Sequence, residues 1–188
     1  MLDKFVYRNM NIGLVRHFKV DSPKYTKKLS AKEFGDTQVL YHSSDIIKHP
    51  VDLGNIKWQI CYSSTLKRAK DTASYIFNGE IITTDLIVEV EASPAFNTKL
   101  KLSFFIWHVL ARFAWLFGHK SQQENFKETK SRCRIFLNQI INSGKQNILI
   151  VSHGFFMREF AKILIRSGFY GKIDYAPKNA HLYLFTSK

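Results

Sequence analysis

Cysteine is scarce in this 188-residue chain: Cys61 and Cys133 are the only two, and they form no paired redox or metal-binding motif. A secreted disulfide scaffold is therefore not the reading. Acidic residues are also few, 15 Asp and Glu against 28 Lys and Arg, which leaves a formal net charge of +13. That balance excludes an acidic-tail or calcium-buffering protein. It favours anionic partners: phosphorylated small molecules, nucleic acid or acidic membrane surfaces. Long apolar runs are missing as well. The most apolar stretch, Phe104–Phe117, contains His108 and Arg112 and falls short of the roughly 18–20 residues that span a bilayer. Met1–Val15 carries Asp3, Lys4 and Arg8 and has no signal-peptide core, so a cytoplasmic location is expected. With no repeat, low-complexity tract or Pro/Gly-rich linker, one domain over 1–188 is expected.

Hydrophobic residues make up 45% and charged residues 23%, a globular composition. A chain of this length can bury a core without disulfides or a structural metal. Four apolar runs read as strands: Ile12–Val15, Trp58–Tyr62, Asn147–Val151 and Leu182–Thr186, with a weaker one at Glu80–Thr84. Several are near-continuous in apolar residues, as strands covered on both faces of a mostly parallel sheet should be. Helical patterns alternate with them. Ser30-Ala31-Lys32-Glu33 and Ser121-Gln122-Gln123-Glu124 read as capping boxes, and Thr65–Phe77 and Phe155–Ile165 as amphipathic helices, the latter stopped near Gly168. The expectation is an α/β domain, a three-layer α/β/α sandwich on a mostly parallel sheet. Lys99–His119 reads as a helical insertion rich in aromatics.

In open α/β sheets ligands bind at the carboxyl ends of the strands, and three strand ends here collect phosphate-binding groups. Ile12–Val15 runs into Arg16-His17, Trp58–Tyr62 into a Ser-rich turn that reaches Arg68, and Asn147–Val151 into Ser152-His153-Gly154. A single histidine at a strand end is as well read as a hydrogen-bonded structural residue. An arginine in a first helical turn sits against the helix dipole unless an anion lies between them. Three such ends in one short chain point to one phosphate site.

These segments resemble the histidine phosphatase superfamily, in its short phosphoglycerate-mutase-like branch. Leu14-Val15-Arg16-His17 is similar to the family's N-terminal Arg-His motif. Tyr62 through Ala73 is similar to its Ser-x-Leu-x-Arg-Ala-x-x-Thr-Ala segment, and Ile150-Val151-Ser152-His153-Gly154 to its second His-Gly motif. The resemblance runs from Asn11 to Thr186 in the family's order and implies a phosphoglycerate-mutase-like fold. The chain departs from the pattern at Phe18, where the family carries glycine. Phenylalanine there is costly if φ is positive, and otherwise its ring narrows the pocket mouth.

The resemblance implies a histidine acid phosphatase-like phosphomonoesterase in which His17 forms a transient phosphohistidine, with Arg16, Arg68 and His153 around the phosphoryl oxygens. A carboxyl group must protonate the leaving alcohol and later activate water. Family register places it at Glu89; Glu91 lies on the same face of an extended segment and is the alternative. Glu124 reads as a capping residue. Rival chemistries lack their letters. Cys61 is followed at the Cys-x5-Arg spacing by Lys67, and there is no Asp-x-Asp, His-x-His, His-Glu-x-x-His, Walker-type loop or GxGxxG. No metal and no cofactor is expected. The expected partner is a phosphorylated small molecule, with no specific nucleic acid, since the basic residues are scattered and no nucleic-acid motif is present. The alternatives are a phosphoglycerate-type mutase and, in another class, a non-catalytic phospho-ligand or nucleic-acid binder. The rings of 99–119 read as ordinary core, as a lid selecting an apolar phosphoester, or as a membrane-surface contact.

Overall fold

The computed structural model describes residues 9–23 and 25–188; Asp3, Lys4 and Arg8 lie outside them. Its centre is a six-stranded sheet in the order β3-β2-β4-β1-β6-β5. The strands are β1 (Asn11–Arg16), β2 (Ile60–Ser64), β3 (Ile81–Thr84), β4 (Asn147–Ser152), β5 (Tyr170–Gly171) and β6 (Leu182–Thr186). Neighbours among β3, β2, β4 and β1 pair in parallel, and β6 and β5 add antiparallel at one side. Among the described residues there are five α-helices: α1 (Ala31–Ser43), α2 (Lys67–Ile76), α3 (Phe104–Leu116), α4 (Phe126–Asn142) and α5 (Gly154–Arg166).

Strand alternation divides the core into two faces. Ile12, Leu14, Ile148 and Ile150 pack with α4 and α5, whereas Val15, Leu149 and Val151 pack with α2. Gly13 sits where the indole of Trp58 crosses β1; a Cβ there would lie 2.6 Å from Trp58 Cη2 and 2.8 Å from Leu182 Cδ1. A third cluster stands apart and joins α1 to α3. Phe34 stacks on Trp107 with centroids 5.7 Å apart, and Trp107 Nε1–H donates to the Leu29 carbonyl at 2.8 Å. The aromatic insertion is thus clamped to α1. No helix among the described residues is long and apolar enough to cross a membrane.

Three local readings change. The second strand runs Ile60–Ser64 rather than Trp58–Tyr62, because buried Ser63 closes its hydroxyl onto the Ser64 carbonyl (3.0 Å) and so tolerates a strand interior. The cap of α4 is Asn125, not Ser121. The Asn125 side chain accepts from the Lys127 and Glu128 N–H groups while Glu128 returns to Asn125 N–H at 2.8 Å. Glu124 is therefore no capping residue; it pairs with Arg132 at 2.5 Å. Phe18 has no positive φ and lies away from the pocket mouth. It is fully buried, its ring centroid 5.1 Å from that of His49 and 5.4 Å from that of Tyr75.

Candidate active site

Parallel pairing brings the carboxyl ends of β1, β2 and β4 to one edge, with Arg16 opposite Ser152 and Ser63 opposite Val151. His17 leaves β1 buried. Its Nδ1 lies 2.6 Å from the Phe18 carbonyl, an acceptor only, so Nδ1 carries the proton and Nε2 keeps its lone pair. Arg68 Nε–H donates to that lone pair at 3.2 Å. Burial and the charges of Arg68 and Arg16 push the His17 pKa down to about 3, so the ring is neutral at physiological pH.

Arg68 stands on the second residue of α2 and is itself buried. Its NH1 donates to Nδ1 of His42 at 2.9 Å, and its guanidinium lies 4.9 Å from the centroid of Tyr41. His42 Nε2–H in turn meets Glu91 at 3.0 Å, and Glu91 also accepts from Gln123 at 3.0 Å. The result is a continuous path, Glu91 to His42 to Arg68 to His17.

His153 caps the start of α5 with its ring centroid 5.1 Å from that of His17. Ser64 Oγ accepts from Leu66 N–H at 3.3 Å and shares a hydrogen bond with His153 Nε2 at 2.8 Å. Complete burial holds the pKa of His153 well below the usual value. His153 Nδ1 and Arg16 Nε are buried polar atoms without a hydrogen-bond partner among the described residues. Buried polar atoms are seldom left so, and an oxygen of an anion would complete Arg16 Nε. Arg16 is held through NH1 on the Pro177 carbonyl (2.9 Å), and Asn179 Nδ2 donates to the His17 carbonyl (2.7 Å).

Glu89 follows a short 3-10 turn, Asp85–Ile87, rather than lying in a strand. Its carboxylate accepts from the N–H groups of Phe155 (3.3 Å) and Phe156 (3.0 Å) in the first turn of α5, and from Val90 N–H (3.0 Å). A helix N-terminus suits a carboxylate. Arg16, His17, Arg68, Glu89 and Glu91 line one cavity of about 280 Å³, and His153 stands behind its wall. The structure thus assembles Arg16, His17, Arg68, Glu89 and His153, and it separates the two candidate acids: Glu89 is tied to α5, Glu91 to α1.

His42, Tyr41, Asn179 and Arg112 also belong to this site and were missed in the sequence. Gln38 and His42, one turn apart on α1, both line the cavity; a polar pair at that spacing behind a capping box was the available signal. Arg112 donates from NH1 to the Val90 carbonyl at 2.9 Å and stacks 3.7 Å from the Phe155 centroid. Its charge within an apolar helix was visible. Asn179 had no signal. Cys61 and Cys133 are free and buried, their thiols pushed up to about 12. Among the described residues no group of three or more His, Cys, Asp or Glu could hold a metal ion.

Comparison with known proteins agrees with this architecture. The profile of the Histidine phosphatase superfamily (branch 1) matches residues 50–187, most of the chain, and the chain belongs to that family. The matched segment contains Arg68, Glu89 and His153; Arg16 and His17 precede it and reach them through the fold. Among solved structures, the product of open reading frame Rv3214 from Mycobacterium tuberculosis superposes with a TM-score of 0.53 at 15% identity, covering 94% of this chain and 91% of that one. YhfR of Bacillus stearothermophilus gives 0.53 at 14% identity over 89% and 93%. Mycobacterial glucosyl-3-phosphoglycerate phosphatase gives 0.50 at 15% identity over 84% and 80%. These likenesses concern the fold. No curated protein matches the chain.

Proposed function

We propose that the protein is a phosphomonoester hydrolase working through a phosphohistidine on His17, with Glu89 as proton donor. The observation that carries this is the state of His17: neutral, its Nδ1–H held by the Phe18 carbonyl, and its Nε2 lone pair facing a cavity beside Arg68 and Arg16. A neutral imidazole so held is a nucleophile toward phosphorus.

In the free protein Arg68 caps that lone pair. A phosphate dianion offers the guanidinium better acceptors, and Arg68 turns to its oxygens, together with Arg16 and His153. Nε2 then attacks phosphorus while the P–O bond to the leaving alcohol breaks, and protonated Glu89 gives that oxygen its proton. In the second step Glu89 takes a proton from water as the water oxygen attacks phosphorus. The P–N bond breaks, its electrons return to Nε2, and inorganic phosphate leaves. Fixed positive charge around the phosphoryl oxygens supplies the main stabilisation.

Purified protein should release phosphate from an aryl phosphate with chelator present, and His17→Ala should be inactive. Undiminished turnover by His17→Ala, or a strict metal requirement, sinks the reading. Assay of 2- and 3-phosphoglycerate interconversion separates a mutase, which should be slow.

A further inference from the structure

The catalytic cavity does not end at Glu89. The N–H of Phe155 holds the Glu89 carboxylate, whereas the ring of Phe155 lines a second, open groove of about 420 Å³. His108 and Arg112 border both spaces. From that ridge the groove follows α3, lined by Phe105, Val109, Phe113 and Leu116, with Tyr175 on the facing loop. Phe105, Val109, Phe113 and Leu116 recur every three or four residues, so the trough runs along one helix face for about 16 Å at 1.5 Å per residue.

Two features make this groove unusual as ordinary surface. Its rings are open to solvent, Phe105 at 74%, Phe113 at 55% and Tyr175 at 83% exposure, in one contiguous strip rather than scattered singly. The charges along it are also already engaged. Arg112 is fixed on the Val90 carbonyl and the Phe155 ring, and Arg158 lies 4.0 Å from the Tyr175 centroid. The His108 ring, packed against Phe34 and Phe104, adds no second cation, because burial and Arg112 bring its pKa down to about 4. Arg112 on this ridge holds the carbonyl of Val90, the residue after Glu89, so the ridge adjoins the group that would protonate a leaving oxygen.

We infer that the groove along α3 is the leaving-group subsite, and that the preferred substrates are phosphomonoesters whose alcohol carries an extended apolar chain. This rests on the hydrolase reading above. The elongated trough commits the occupant to a chain; a compact polar alcohol would leave these rings wet.

The test is a homologous series of ethyl, butyl, hexyl and octyl phosphate, kept below aggregation. In the wild-type protein kcat/KM should rise roughly twofold to fourfold per added methylene, the worth of partial to full burial of each CH₂. In the double variant Phe105→Ser, Phe113→Ser the octyl-to-ethyl ratio should fall by at least about tenfold, on the same burial scale. Solvent-exposed positions were chosen so that the fold survives, which far-ultraviolet circular dichroism checks. Turnover without chain-length dependence, or a ratio that survives the double substitution, overturns the subsite alone, and the groove then serves a partner or surface instead. Absence of turnover on every ester, ethyl phosphate included, overturns the hydrolase reading beneath it.

Discussion

His42 stands between Arg68 and Glu91, its Nδ1 2.9 Å from the guanidinium and its Nε2 3.0 Å from the carboxylate. Because Glu91 takes the Nε2 proton, Nδ1 is left as an acceptor and can receive Arg68. The carboxylate thereby sets the tautomer of His42, and His42 sets the aim of Arg68 at His17. Glu91 is thus a positioning residue. Removing one hydrogen bond to a charged group costs about 1.5–3 kcal/mol, so Glu91→Leu, which can no longer accept from His42, should lower kcat/KM roughly 10-fold to 100-fold. His42→Gln, which can still accept from Arg68, should recover part of what His42→Leu loses. Equal activity in all three variants shows that the path is idle.

Glu89→Gln keeps size and hydrogen-bonding capacity but cannot deliver a proton. Turnover should slow by about 10²–10⁴-fold, the usual worth of general acid–base catalysis. The deficit should be larger for an alkyl phosphate than for a nitrophenyl phosphate, whose leaving group departs unaided. A loss indifferent to the leaving group argues that Glu89 only positions α5.

Acid should destabilise the protein through its buried histidines. His17 and His108 are held near 3 and 4, and His153 well below its usual value, against roughly 6.5 when unfolded. Below that value the unfolded chain binds protons the native one refuses, so stability is full above about pH 6.5 and falls as pH drops toward the native values. The slope is about 1.4 kcal/mol per pH unit for each such histidine. Urea midpoints between pH 7 and 5 should show the fall, and His108→Leu, which removes one of the three, should flatten it.

Inorganic phosphate should stabilise the folded protein, since Arg16 and Arg68 line the cavity and Arg16 Nε is buried without a partner among the described residues. At 100 times its dissociation constant the gain is about 2.7 kcal/mol, roughly 5–10 °C in Tm for a chain of this size. Arg68→Met and Arg16→Met should each abolish most of that shift. An unchanged shift in both variants places the phosphate elsewhere.

Gly13→Ala tests the packing of the sheet beneath the site. The added Cβ would meet the Trp58 indole at 2.6 Å, an overpacking that costs about 1–3 kcal/mol. Tm should drop by roughly 2–4 °C per kcal/mol, and Trp58→Leu in the same chain should relieve it.

The α/β class, the places of the main strands along the chain and the meeting of Arg16, Arg68 and His153 were legible in the letters for one reason. Apolar runs of strand length end directly in the charged residues, and parallel pairing sends all those ends to one edge of the sheet. No long-range information is needed to know that Arg16 and His17 follow Val15. The choice between Glu89 and Glu91 was not legible, because two residues apart they look alike. What separates them is that Glu89 meets the N–H groups of α5 across 66 and 67 positions, while Glu91 meets His42 on α1. The same holds for His42 on Arg68, 26 positions away, and for Asn179 on the His17 carbonyl, 162 positions away. Even the cap of α4 was settled only when Glu128 closed on Asn125 and Glu124 was taken by Arg132. Local periodicity and strand ends placed the candidate phosphate-binding residues; the packing of α1 and α3, through Phe34 and Trp107, decided which side chains of those two helices come to face them. Those contacts depend on surfaces that exist only once distant segments are buried against each other.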